Sequence, residues 1–330
     1  MAKIEKLPSG NFRVRAYDKS TKKTKSFTAS TKAEVKRMAA EWLYLTDHNV
    51  SGEITVKEAI DRYIKNRSSV LSPSTLRCYL QFQRTYYSDI EYYTVSGITS
   101  EDIQRFVNRL ASDLAPKTVK NIYGLLVSSL TAIDPNKAIN VTMPQKKVIE
   151  RHIPTDEDIK NILSMAEGPF RIAILLAAVG TLRRGEISAL RYEDIDGSVI
   201  HVHSDMVAGP DGFVIKDIPK TSSSDRYIEL PQKIIDEIGT GEGFVVPLAP
   251  SSITNRFQRV KKALGLSCRF HDLRHYAASV MHAIGVPDQY IMERGGWGSD
   301  VILKSVYRNV LDDKKKEFTD MTNSYAEKFF

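Results

Sequence analysis

Phe170-Arg-Ile-Ala-Ile-Leu-Leu-Ala-Ala-Val-Gly180-Thr-Leu-Arg183-Arg184-Gly-Glu186-Ile-Ser-Ala-Leu190 is the stretch of this 330-residue chain that says most about its fold. From Phe170 to Val179 only Arg171 is charged, so the spacing predicts a helix buried on most sides rather than along one stripe. Its uninterrupted apolar run, Ile172 to Val179, is far short of the ~18 residues a membrane span needs. Two arginines and a glutamate follow the glycine. An arginine beside so apolar a helix either pairs with a carboxylate or awaits an anion. Glu186, three residues on, is placed to hold Arg183 by a charge-assisted hydrogen bond. Alone, the stretch fits a purely structural ion pair equally well.

Working outward, Thr155 caps a helix that leads into this one. Three strand candidates follow it, Val199–Met206, Phe213–Ile218 and Arg226–Leu230, separated by turn-rich segments, and helices resume from Ser251. Residues 153–330 therefore read as mostly helical with a small antiparallel sheet inserted. Residues 136–152, with Pro144 and four basic side chains, read as a linker. Before it, residues 53–135 read as a bundle of four or five helices. A capping box opens at Thr55-Val-Lys-Glu58, and Ser72-Pro73 sets a cap and first-turn proline before Leu76–Tyr87. Thr99 starts a further helix through Leu110. Pro116 opens the last, to about Ile133, with Val119, Ile122, Tyr123, Leu126 and Leu130 on its apolar face. In residues 1–48, Asn11–Tyr17 alternates with period two, Lys25–Ala29 makes a second strand, and Thr31-Lys-Ala-Glu34 caps an amphipathic helix. The fold class expected is mainly α with small antiparallel β elements (α+β).

Charge sharpens the picture. The net charge is +7 overall, yet residues 1–37 alone hold eleven Lys/Arg against Glu5, Asp18 and Glu34, so the excess lies in the first ninth of the chain. Such a basic, patterned segment suits a polyanion, most often nucleic acid. Arg13 and Arg15 project from one strand face, with Lys22, Lys23 and Lys25 nearby. Lys117 and Lys120, near the start of the last bundle helix, are placed to reach phosphates. The start, Met-Ala-Lys-Ile-Glu-Lys, puts charge where a secretory signal needs apolar residues. Cys78 and Cys268 cannot build a disulfide framework or a four-cysteine zinc site. A cytoplasmic protein without a membrane partner is expected.

Three more segments concentrate chemistry. His271-Asp-Leu-Arg274-His275 sets His271 and Arg274 one turn apart, able to meet one phosphate. Its His271/His275 spacing also suits zinc, but the metalloprotease pattern needs glutamate after the first histidine and Asp272 stands there; His201 and His203 on a strand face do not supply the missing ligand. Pro219-Lys220-Thr-Ser-Ser-Ser-Asp-Arg226 is a polar turn without the glycines of a phosphate-binding loop. Gly295-Gly296-Trp297-Gly298 precedes a helical stretch containing Tyr307. No metal and no cofactor is expected.

In order, Arg183, Lys220, His271, Arg274, Trp297 and Tyr307 resemble the signature of the tyrosine site-specific recombinases, specifically integrases of phages and conjugative transposons. Gly-Thr-Leu-Arg-Arg-Gly-Glu-Ile is similar to the family's first arginine box and His-Asp-Leu-Arg-His to its second. The segment Ile218–Pro231 is similar to the lysine hairpin, and Tyr307-Arg-Asn-Val to the tyrosine box. Trp297 stands where many members have histidine, and the Trp297–Tyr307 interval is one residue longer than in many.

The resemblance implies a catalytic set of these six residues, with Tyr307 as nucleophile and Glu186 and His275 supporting them from behind. It implies a 3′-phosphotyrosine, a four-way junction, and four protomers holding two duplexes, with no ATP or metal. It also implies core-site and arm-site DNA as partners of residues 53–135 and 1–48, and leaves room for a host bending protein and an excision factor. A type IB topoisomerase and a catalytically silent DNA-binding regulator remain as alternatives.

Overall fold

The computed structural model describes residues 4–17, 24–47, 53–145, 153–216 and 225–299, with residues 319, 320, 323, 324 and 327 beyond them. It divides into two compact units, Met1–Val148 and Ile149–Phe330.

The first unit begins with an antiparallel sheet, β1 (Ile4–Lys6), β2 (Phe12–Tyr17) and β3 (Thr24–Ala29), in that order, followed by α1 (Lys32–Asp47). Alternation along β2 decides its faces: Val14 and Ala16 are buried with Phe27 against Val35 and Ala39 of α1, while Arg13 and Arg15 take the opposite side. The sheet has three strands where the sequence suggests two, because β1 is too short to show alternation. The Thr31 hydroxyl accepts the Glu34 amide at 3.2 Å, as a helix cap should, while the Glu34 carboxylate takes the Ser30 hydroxyl at 3.3 Å.

Four helices follow, α2 (Val56–Arg67), α3 (Pro73–Thr85), α4 (Ser100–Asp113) and α5 (Pro116–Ile133). Reciprocal capping boxes open α2 at Thr55/Glu58 and α4 at Thr99/Asp102, and Ser72 caps α3. These satisfy backbone amides that a helix start leaves open. Helix α5 turns Val119, Ile122, Leu125, Leu126 and Leu130 into a core shared with Ile60, Ile103 and Phe106. Each such side chain contributes about 1.5–3 kcal/mol on burial. Tyr87 places its ring in this core and donates its hydroxyl to the Ile122 carbonyl at 2.7 Å.

The second unit opens with α6 (Asp156–Ser164), capped by Thr155 and Asp158, then α7 (Gly168–Ala178) and α8 (Arg184–Ala189). As its composition dictates, α7 buries Phe170 and every residue from Ala173 to Ala178. Then come β4 (Ile195–Asp196), β5 (Val199–Val202), β6 (Asp205–Gly209), β7 (Gly212–Lys216) and β8 (Arg226–Glu229). Helices α9 (Gln232–Ile238), α10 (Pro250–Ala263), α11 (Asp272–Ala283) and α12 (Asp288–Gly295) complete the described part. Val199–Met206, expected as one strand, is two: β5 joins a sheet of order β4-β5-β8, and β6 folds onto β7 as a separate hairpin. Directly facing glycines, Gly209 and Gly212, close that hairpin, and this turn decides the partner of β6. No helix among the described residues is long and apolar enough to cross a membrane.

Candidate active site

The site is built on the C-terminal end of α12. A helix ends with carbonyls that have no partner within it. Here three successive carbonyls each accept from a different arginine. Arg226 donates Nε to the Arg294 carbonyl at 2.9 Å, Arg274 donates to the Gly295 carbonyl, and Arg183 donates to the Gly296 carbonyl at 2.5 Å. Gly296 supplies the left-handed turn (φ +62°) that ends the helix, with the Trp297 amide returning to the Met292 carbonyl at 2.9 Å. Trp297, 7% exposed, then lays its ring under the Arg274 guanidinium, 4.0 Å from the ring centroid. The close approach requires glycine at 295, where a Cβ would stand 1.8 Å from the indole ring. Gly295→Ala should therefore push Trp297, one of two tryptophans, off Arg274 at a cost of about 1–3 kcal/mol. An unchanged tryptophan emission spectrum in that variant would contradict this packing.

Arg183 sits just before α8, where its backbone amide and Nη1 both donate to the Glu186 carboxylate, at 2.8 and 2.5 Å. Arg226 grips the same carboxylate through Nη1 and Nη2 at 3.2 and 2.8 Å. Glu186 is 4% exposed. Burial is the largest influence on its carboxyl and pushes its pKa up. Hydrogen bonds and charge from Arg226, then the charges of Arg183 and Arg274, outweigh burial and hold the carboxyl at about 2.

Arg274, 1% exposed, donates to the Thr181 and Gly295 carbonyls. Thr181 is the one non-glycine residue with positive φ (+60°) among those described, and a β-branched residue there costs of order 1–3 kcal/mol. That strain turns its carbonyl toward Arg274, while its hydroxyl donates to the Arg294 carbonyl at 3.1 Å. Burial, then the charge of Arg183, pushes the Arg274 guanidinium well below the usual arginine range, with Glu186 opposing. The Nε of Arg274 is buried and has no hydrogen-bond partner among the described residues. Among the described residues, three guanidinium groups thus crowd one carboxylate, leaving an excess of positive charge.

His271 and Arg274 were expected side by side on one helix face. His271 stands at the cap position before α11 with helical backbone, Arg274 one turn on is buried, and the Arg274 charge acts directly on the His271 imidazole, so the two lie close together. His271 meets the buried His275 edge to face, with centroids 4.9 Å apart. Restricted hydration and then the charge of Arg274 push the His271 imidazole down to about 4, so it is neutral at pH 7. His201 and His203 face carboxylates, Asp225 at 2.8 Å and Asp194 at 2.9 Å, with His201 stacked on Tyr227.

Of the residues singled out in the sequence, the fold brings together Arg183, Glu186, Arg274 and Trp297, with His271 and His275 beside Arg274. Lys220, Tyr307, Lys22 and Lys23 lie outside the described residues. Arg13 and Arg15 share the open sheet face, where Arg13 pairs with Glu5 at 2.9 Å. Lys25 does not join them. It opposes buried Ala16 across the strands, on the helix side, over the Phe27 ring. Lys117 and Lys120 are exposed near the start of α5, which has no side-chain cap. Sequence reasoning missed Arg226, Thr181 and Arg294. The fully alternating burial of β8, with Arg226 on its inward side, was the available signal for the first.

The fold is that of integrase catalytic and helical-bundle domains. It matches the Tn1549 transposon integrase, solved with transposon right end DNA, with a TM-score of 0.65 and 17% identity over 82% of this chain and all of that one. It matches a lambda integrase tetramer bound to a Holliday junction with a TM-score of 0.64 and 19% identity, covering 92% of this chain and 94% of that one. In sequence the chain is similar to the XerC-like tyrosine recombinase of Caldanaerobacter subterraneus subsp. tengcongensis, 25% identical over 76% of this chain and 78% of the relative. The prophage phiRv2 integrase of Mycobacterium tuberculosis is 30% identical, the match spanning 52% of this chain and about half (51%) of that relative. Residues 153–314, just under half of the chain, match the model of the phage integrase family, and this segment is a domain of that family.

Proposed function

We propose that the chain cuts and rejoins DNA strands at specific sites, integrating and excising a mobile element through a phosphotyrosine intermediate. The observation that carries the reading is the arginine cluster at the end of α12, rich in positive charge around a single carboxylate. A phosphodiester is already anionic, and its phosphorus gathers more negative charge on becoming five-coordinate. Fixed donors aimed at the equatorial oxygens are what lowers that barrier. Arg183, whose side chain is about one-third exposed, is the donor that meets the phosphate first. Arg274 supplies charge from behind it and offers its unpartnered Nε.

In this reading the Tyr307 hydroxyl gives its proton to neutral His271 as its oxygen attacks phosphorus and forms the new P–O bond, the bond to the 5′-oxygen breaks, and Lys220 gives that oxygen its proton. A lysine ordinarily titrates near ~10.4, and neighbouring arginines lower that value. The 5′-hydroxyl of a partner strand then reverses the step. Bond energy is kept in the phosphotyrosine, so neither ATP nor a metal is needed. Trp297 holds Arg274 in place and cannot carry a proton.

His271 is neutral in the free protein because burial, then the charge of Arg274, disfavours its cation, and a phosphate beside it offsets those effects. Binding of DNA at pH 5–6 is therefore expected to take up a proton at His271. Calorimetry in buffers of different ionisation enthalpy checks this, and an enthalpy independent of buffer would count against the site.

The exposed lysines of α5 and the open sheet face with Arg13 and Arg15 suit the backbone of core-site and arm-site DNA respectively. Residues 1–48, 53–135 and 153–330 then act as arm-binding, core-binding and catalytic parts, assembled as a tetramer on two duplexes. The related integrases solved with transposon-end DNA and with a Holliday junction support this. The test supplies nicked, labelled duplexes from the element's ends in EDTA, together with a partner duplex. Adduct followed by strands joined between duplexes is the expected result. Adduct without joined strands would favour a topoisomerase, and binding without adduct a regulator.

A further inference from the structure

Arg226 has no part in the reaction proposed above, yet it holds both Glu186 and the end of α12. At the first position of β8, and 5% exposed, it has all three of its donating nitrogens engaged inside the protein. Nη1 and Nη2 hold the two oxygens of Glu186, and Nε holds the Arg294 carbonyl. Glu186 is what orients Arg183, through both its amide and its guanidinium. The Arg294 carbonyl begins the run whose next two members accept from Arg274 and Arg183. One buried side chain thus touches the two supports on which the phosphate-facing arginines depend. It also fixes the chain six residues after Lys220.

The charge arrangement gives this geometry a consequence. A buried carboxylate needs a counter-ion. With Arg226 in place, Glu186 has one that never meets DNA, and Arg183 is left able to turn a nitrogen toward an incoming phosphate. Without Arg226, Arg183 becomes the main partner of Glu186, and phosphate must compete with a buried carboxylate for it. We infer that Arg226 is a positioning residue for strand cleavage, neutralising Glu186 and pinning the end of α12 so that Arg183 stays available to the phosphate. This rests on the strand-transfer reading of the site.

The experiment uses the full chain with Arg226→Gln and Arg226→Lys on the nicked duplexes. It measures the rate of adduct formation at saturating DNA, the DNA affinity, the pH profile of the rate and the thermal midpoint. Arg226→Gln is expected to slow adduct formation about 10²-fold, the loss that a misplacement near 1 Å brings. DNA affinity should stay close to wild type, and Arg226→Lys should fall between the two. An inflection absent from the wild type should enter the pH profile, because Glu186 loses its strongest partner.

A purely structural role would lower the midpoint while the folded fraction cleaved at the wild-type rate with an unchanged profile, and that result would overturn the inference. So would a loss confined to affinity, which would place Arg226 on the DNA. If the glutamine variant does not fold, the lysine variant decides by the same readings. Wild-type protein that forms no adduct would count against the strand-transfer reading itself, which keeps the two failures apart.

Discussion

Arg274→Gln is expected to lower adduct formation about 10²–10³-fold, the usual loss when one preorganised donor to a developing oxyanion is removed. The expectation follows from what the guanidinium does in the fold. It lies on the Trp297 ring, donates to carbonyls of Thr181 and Gly295, and holds Nε in reserve. Glutamine carries no charge and cannot span both carbonyls. Each carbonyl left without a donor costs about 1–3 kcal/mol, so a lower thermal midpoint should accompany the kinetic loss. The two effects are separable because burial, then the charge of Arg183, already disfavours the Arg274 charge in the free protein. Removing that charge relieves repulsion, and the loss in stability should be smaller than the loss in rate. A variant that cleaves DNA at the wild-type rate would show that Arg274 is only a strut.

Glu186→Gln is the second large effect, and it falls on stability. The substitution leaves Arg226 buried against an uncharged partner, and breaking one side of a buried ion pair costs about 3–5 kcal/mol. For a domain of this size that corresponds to a fall of about 10 °C in the midpoint. Because the folded protein holds the carboxyl near 2 rather than at its ordinary 4.5, ionised Glu186 favours the folded state. Linkage puts that contribution at about 3 kcal/mol. It is fully present above pH 4.5 and is lost as pH falls through about 2. Wild type and variant should therefore differ by a constant amount above pH 4.5 and converge as pH falls from 4.5 to about 2. Parallel curves over that range would contradict the network.

Much of this was readable in advance, for local reasons. The capping boxes at Thr55, Thr99 and Thr155 announce their helices because the groups that satisfy the first turn lie within four residues. Helix α7 is legible from its unbroken apolar run, and the Arg183–Glu186 contact from its i,i+3 spacing. What stayed hidden depends on long-range packing. The Arg226–Glu186 pair joins residues forty apart, and nothing near either announces the other. The split of Val199–Met206 follows from the Gly209–Gly212 turn, whose glycines the strand pattern upstream does not sense.

The central claim is that a tyrosine oxygen of this chain takes the DNA phosphate, and Tyr307→Phe tests it most directly. Wild type and variant are incubated with nicked, end-labelled duplexes from the element's ends in EDTA and run on a denaturing gel. The account predicts a detergent-resistant protein–DNA adduct from the wild type, and DNA binding without adduct from Tyr307→Phe. Adduct formed equally by the variant would mean that another group is the nucleophile and would contradict the account.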